Sequence, residues 1–186
     1  MHGYIKLNRA LVFILVLLTP TLSFGLDDAL KRAWKSELQY LEMKRIPYVW
    51  GASDYEKADC SGIIYASAKH AGINVQRITA LEMFHGKEGW SHKPVTIDDA
   101  EELDIIWFTW SENAAKRPHG HVGVVYIPQN KGVFSIFHAS STTKRVTVQP
   151  YDGKLKTDTS GIKRLTHGDK PKIKLGPGVT QIKRHP

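Results

Sequence analysis

The sequence predicts an α+β domain. Two observations carry that reading: apolar residues recur at helical spacing early in the chain, and segments rich in β-branched and aromatic residues follow one another later. A third observation narrows it, because strand and helix patterns do not alternate and a doubly wound βαβ sheet is therefore disfavoured. The 186 residues amount to one domain, or one domain with a tail, and are enough to bury a core. Hydrophobic content of 41% and charged content of 24% are ordinary for a globular protein.

The chain opens with MHGYIKLNRALVFILVLLTPTLSFG, in which Lys6 and Arg9 precede an apolar run from Ala10 to Leu18. Pro20 breaks the run, and Ser23, Phe24 and Gly25 supply small residues near a cleavage site. A bilayer-spanning helix needs about 20 apolar residues, and this run has nine. Residues 1–25 therefore read as an export signal rather than an uncleaved anchor, with no transmembrane segment expected in the mature chain. Residues 26–167 form the expected domain. The only cysteine is Cys60, too far from the cut for lipid attachment there.

The first helix is predicted over 26–44. Leu30, Trp34, Leu38 and Leu41 make one apolar stripe, Asp27 and Asp28 suit the first turn, and Pro47 ends it. A second helix is predicted over 59–71, with Asp59 as N-cap, small or apolar residues on most sides and Gly72 as the left-handed stop. Residues 73–102 show no clear period. About five antiparallel strands follow: 104–110, 121–127, 133–140, 144–151 and 161–167. From residue 168 on, Pro and Lys dominate, and a flexible basic tail is expected.

Charge is unevenly placed. The whole chain carries a formal +8, and residues 144–186 alone hold eleven basic and three acidic residues. Such an end favours anionic surfaces. For an exported protein these would be envelope polymers or lipid headgroups rather than nucleic acid, unless the end is simply solvated.

One cysteine in an exported chain cannot form an internal disulfide, so it is either a buried hydrophobe or a reactive thiol. Cys60 follows an N-cap, where the helix dipole is expected to favour the thiolate. Gly62, two residues on, leaves room for another backbone or a substrate. A cysteine nucleophile needs a base, and the base needs an orienter. His121 opens a well-patterned strand, and His138 lies near the end of the next one. If the hairpin closes at its PQNKG turn, residue 138 pairs with 121 or 122, although a slip of one would place the two rings on opposite faces. Cys60, His121 and His138 could also serve as three zinc ligands, and His119 and His121 form an H-x-H pair. No C-x-x-C or H-E-x-x-H accompanies them, so no metal or cofactor is expected. His70, His85, His92, His167 and His185 read as solvated.

The motifs PYVWGA, DCSG, LDIIWF, HVGVVYI and FHAS occur in the order and spacing of the NlpC-type cell-wall endopeptidases, which are papain-like cysteine peptidases. The similarity runs from about Leu38 to about Tyr151. It implies a papain-like fold, with Cys60 as nucleophile, His121 as general base and His138 as the third polar member of a triad. It implies that Tyr48 lies beside the nucleophile and assists the oxyanion. Asp59 and Ser61 would contact the free amine of a peptidoglycan stem peptide, and Thr79 would line the same cleft. The implied bond joins D-glutamate, through its γ-carboxyl, to diaminopimelate or lysine, in a periplasm or cell wall. An amidase or acyltransferase on the same scaffold, and a non-catalytic wall- or membrane-binding protein, are the alternatives. The chain departs from the family pattern where Gly51-Ala52 replaces Gly-Gly and Leu103-Asp104 replaces Gly-Asp. The segment 85–102 is longer than typical and is expected to reshape the cleft.

Overall fold

The computed structural model describes residues 26–110, 115–130 and 133–166. The expected export segment, His167 and the expected tail lie outside the described residues. No helix among the described residues is long and apolar enough to cross a membrane.

Helix α1 covers Asp28–Lys44. Asp27 is its N-cap rather than part of the first turn, and its carboxylate accepts the Leu30 N–H at 2.8 Å. Trp34, Leu38 and Leu41 are buried, as their spacing predicts. The helix stops at a left-handed Arg45, φ 50°, two residues before Pro47. Helix α2 covers Cys60–His70 and is buried on most sides. It packs on α1, where the Trp34 indole donates to Ser67 Oγ at 2.9 Å. Gly72, at φ 89°, makes the stop.

The segment without period contains three short elements. Helix α3 covers Ala80–Phe84, strand β1 covers His92–Val95, and a 3-10 turn covers Ile97–Asp99. Five residues are too few for a helical period to show. The sequence signal for α3 is instead Thr79 with Glu82, which form a reciprocal capping box.

The other strands are β2 (Ile105–Phe108), β3 (His121–Asn130), β4 (Val133–Ser140), β5 (Arg145–Pro150) and β6 (Thr159–Leu165), with a short helix α4 (Gly153–Thr157) before β6. They form one sheet in the order β1-β6-β2-β3-β4-β5, with each neighbouring pair antiparallel. Six strands replace the expected five. The extra one, HKPV, contains Pro94 and is tolerated because it lies at an edge. Strands β6 and β2 separate it from β3, so part of the long 85–102 segment extends the sheet instead of walling the site. Strand β6 lies inside the sheet, so Lys163 and Arg164 of the basic end belong to the fold.

The sheet separates two apolar clusters. Val122, Val124, Tyr126, Phe137 and Ala139 pack with α1 and α2. Ile106, Phe108, Val125, Phe134 and Ile136 face the other way, toward Tyr151 and Leu155. Strand alternation places His121 and His138 on this second face. The register corrects the expected pairing. Val124 is opposite Phe137, which sets His138 against Gly123 and makes His121 its diagonal neighbour on the same face. Asn130 pairs with Val133, and the ladder then shifts between Asn130 and Tyr126, which moves the register away from the expected one.

Leu103 adopts φ 75°, so the position where glycine was expected does require a left-handed backbone. Its side chain is nonetheless buried in the helix-side cluster, and its N–H donates to Val125 O at 2.9 Å. His92 is not solvated either, since its Nε2 pairs with Met83 O at 2.7 Å.

Candidate active site

Cys60 is the first residue of α2 and is only 5% exposed. The loop before it is tied down by Asp59. One carboxylate oxygen accepts the Gly62 N–H at 2.6 Å, closing the helix cap, and the other accepts the Gly51 N–H at 2.9 Å. The same loop explains Gly62. A Cβ there would lie 2.1 Å from the Ala52 carbonyl oxygen, so the space it leaves is filled by another backbone.

Arg77 completes this end, and its role is not evident from the sequence. Its NH2 group reaches both Asp59 oxygens at 3.0 and 2.8 Å, and its NH1 group donates to Ser61 Oγ at 2.9 Å. Asp59 and Ser61 are therefore committed to an internal cation, in the place where a substrate amine was expected. Thr79 is likewise engaged: its hydroxyl donates to Glu82 and accepts the Glu82 N–H within the α3 cap.

The Cys60 sulfur faces the backbone N–H groups of Val122 and Ser61, which favour its thiolate. Burial, and then the Asp59 carboxylate, outweigh them and push the thiol up to about 11. The helix start does not yield a resting thiolate, because desolvation exceeds the dipole. Tyr48 stands beside this group. Its hydroxyl is pushed up to about 12, by burial first and then by Cys60 and Asp59, while Arg117 acts in the opposite direction.

His121 Nε2 and His138 Nδ1 are 2.7 Å apart, and His138 Nε2 lies 2.6 Å from Gln149 Oε1 on β5. With Oε1 as acceptor, His138 donates from Nε2 and accepts at Nδ1. His121 then donates from Nε2, which leaves its Nδ1 as the unprotonated nitrogen. Burial, reinforced by His138, holds the His121 pKa down to about 3. Burial also lowers His138, against a smaller rise from Gln149. Trp110 packs against His121 at 5.5 Å between ring centroids. Gln149 and Trp110 were missed in the sequence. Strand alternation would have found Gln149, two residues beyond Thr147, the partner of His138.

Cys60 belongs to the helix-side cluster, and the two histidines lie on the other face of the sheet. The backbone N–H of Val122, the residue after His121, favours the Cys60 thiolate. Among the described residues no hydrogen bond joins it to either imidazole. The histidines, with Trp110, Gln149, Asp152 and Lys154, line an open pocket of about 540 Å³. The H-x-H pair does not converge, because His119 Nδ1 pairs with Ser160 Oγ at 2.7 Å and its ring stacks on Phe84. Among the described residues no group of three or more His, Cys, Asp or Glu is arranged to hold a metal ion.

Solved structures share this arrangement of helices and sheet. An NLP/P60 family protein, "similar to lipoprotein", from Staphylococcus aureus superposes with TM-score 0.60 and 22% identity, covering 81% of this chain and 46% of that one. An NlpC protein from Trichomonas vaginalis gives TM-score 0.53 and 25% identity, covering 75% and 49%. An NlpC/P60 family protein from Bacillus cereus gives TM-score 0.53 and 18% identity, covering 71% and 40%. The chain thus spans less than half the length of these structures, and at such identities the likeness speaks to the fold. No curated protein matches the chain in sequence. The family model named NlpC/P60 matches residues 45–164, a span holding Tyr48, Cys60, both histidines and all six strands but the last residue of β6, and the chain belongs to the NlpC/P60 family.

Proposed function

We propose that the protein is an exported cysteine peptidase that hydrolyses a γ-D-glutamyl amide in peptidoglycan stem peptides. One observation carries this reading most. The thiol of Cys60 abuts the backbone at the start of β3, where a hydrogen-bonded file from Gln149 through His138 leaves an acceptor nitrogen on His121.

At rest both groups are neutral, by the directions of their shifts. On attack, His121 Nδ1 takes the thiol proton as sulfur bonds to the scissile carbonyl carbon. The imidazolium formed keeps its Nε2–H on His138, whose ring Gln149 holds in the accepting tautomer. The Val122 and Ser61 N–H groups stabilise the sulfur as charge builds on it. The Cys60 N–H, unpaired within the helix at this position, and the Tyr48 hydroxyl are the proposed oxyanion donors. His121 then returns the proton to the leaving amine, and water hydrolyses the acyl-enzyme. Residues 1–25 act as the export signal, and the basic end holds the protein near anionic envelope polymers or lipids.

Digestion of purified peptidoglycan by the chain and by Cys60→Ala tests this, with muropeptides read by mass spectrometry. Stem-peptide products from the first and none from the second are expected. Identical digests would overturn the peptidase reading and leave another acyl substrate, or binding alone.

A further inference from the structure

Among the described residues five large apolar side chains stand exposed, and four of them, Tyr40, Met43, Val49 and Trp50, fall between residues 40 and 50. Met43 is 76% exposed and Trp50 66%. Single exposed apolar residues need no explanation, but their concentration on one surface marks a contact with a partner. These four border the end of α1 and the segment that follows it.

The same surface is cationic. Lys44 and Arg45 end α1, and the turn between β4 and β5 brings Lys144 and Arg145 to them. Tyr48 N–H donates to Lys144 O at 2.9 Å, Val146 N–H donates to Ile46 O at 2.7 Å, and Pro47 pairs with Arg145. Arg117, from the loop between β2 and β3, lies over the Trp50 ring, 4.8 Å from guanidinium carbon to ring centroid. All these cations are exposed, and none has a carboxylate partner among the described residues. Neither 43–53 nor 139–151 contains Asp or Glu. Of the acids bordering these stretches, Glu42 accepts from the Tyr126 hydroxyl, Asp54 caps its own turn, and Asp152 lines the histidine-side pocket. The helix dipole accounts for Lys44 and Arg45 but not for Lys144 and Arg145, which end no helix. Arg45 and Lys144 also hold left-handed backbone, at φ 50° and 59°, where glycine or asparagine is preferred. Local backbone preference therefore does not place cations there.

We propose that this face docks on an anionic lipid bilayer, with Met43, Val49 and Trp50 entering the headgroup region and Lys44, Arg45, Arg117, Lys144 and Arg145 meeting lipid phosphates. A soluble polyanion is answered by cations alone, whereas a bilayer also takes up exposed apolar side chains, tryptophan above all. The proposal rests on the envelope-binding part of the proposed function and not on the peptidase chemistry. It moves the contact from the residues after 166 onto the folded body. The loop that leads to Cys60 starts at this face, so docking orients the site relative to the membrane.

The test is co-sedimentation of the chain from Leu26 to Pro186, which lacks the apolar run at Ala10 to Leu18, with vesicles of phosphatidylglycerol and phosphatidylcholine in equal parts. Binding is expected there and not on phosphatidylcholine alone. Lys44→Gln/Arg45→Gln/Lys144→Gln/Arg145→Gln should weaken it on the order of 100-fold, and Trp50→Ala about tenfold. Lys44→Arg/Lys144→Arg should bind like the parent, and thermal melting confirms that each variant is folded. Brominated lipid should quench tryptophan emission in the parent and not in Trp50→Tyr, because Trp34, Trp90 and Trp107 are fully buried. A second variant replaces Lys170, Lys172, Lys174, Lys183 and Arg184 by Gln and should lose less than the first. Binding of the first variant to within about twofold of the parent, or a larger loss in the second, would overturn the proposal and leave the envelope reading to the residues after 166. Equal affinity for soluble polyphosphate, with no loss in Trp50→Ala, would make the partner a polyanion and overturn it too. Binding to neither vesicles nor polyphosphate would sink this face and the envelope reading together, while muropeptide release by the same chain would leave the peptidase standing.

Discussion

The start of α2 and the histidine file on β3 to β5 hold their functional groups in opposite ways. At the helix start, Asp59 alone answers two backbone N–H groups, the Ser61 hydroxyl and a guanidinium. Several contacts fix the position of Cys60 redundantly, and they are also contacts of the fold. In the file, one bond joins His121 to His138 and one joins His138 to Gln149. Each link sets the tautomer of the next, and no second route exists among the described residues. The thiol is therefore placed by the fold, and the His121 imidazole is set by a chain of single hydrogen bonds.

Breaking the helix start should cost stability first. Asp59→Ala removes the cap and leaves Arg77 unpaired in a partly buried site, a loss of about 4 kcal/mol. Urea denaturation should show it, and Asp59→Ala/Arg77→Leu should recover part of the loss if the orphaned charge is its main source. Gly62→Ala forces a Cβ to 2.1 Å from the Ala52 carbonyl oxygen. Because that oxygen also accepts the Asp59 N–H at 2.9 Å, it cannot move freely, and a cost of about 3 kcal/mol is expected.

Breaking the file should do the reverse. Gln149→Leu should lower kcat on the order of 10²-fold by freeing the wrong His138 tautomer, with stability changed by about 1 kcal/mol or less. A loss of stability as large as that of Asp59→Ala would dissolve the contrast between the two regions.

The two groups also predict opposite pH limbs. The folded pKa of His121 is depressed from 6.5 to about 3. Between these values the unfolded chain binds more protons, so stability is full above 6.5 and falls as pH drops toward 3. The Cys60 thiol is raised from 9.0 to about 11, so its contribution is full below 9 and is lost as pH rises through 11. Cys60→Ala should diminish the alkaline limb, to which Tyr48 also contributes, and leave the acid limb. Iodoacetamide labelling of the free protein should be slow at neutral pH and rise above pH 9. A labelling midpoint below 7 would show a resting thiolate and contradict the burial argument.

The smallest effect expected is at Leu103. Glycine there would relieve about 1 kcal/mol of left-handed strain but forfeit about 2 kcal/mol or more of buried side chain, so Leu103→Gly should be mildly destabilising.

The sequence by itself determined both long helices, the main strands and the N-cap at Asp59. These follow from local rules of period, capping and alternation, which act within a few residues. Only the tertiary structure decided the rest. Strand β1 reads poorly because its proline is acceptable only at an edge, and being an edge is a property of the whole sheet. The protonation of Cys60 was misjudged because the dipole is local, whereas burial against Val122 comes from the packing of α2 on β3. Arg77 and Arg117 carry no motif. A charge acquires meaning only from its partner, and folding decides that the first meets Asp59 while the second lies on Trp50.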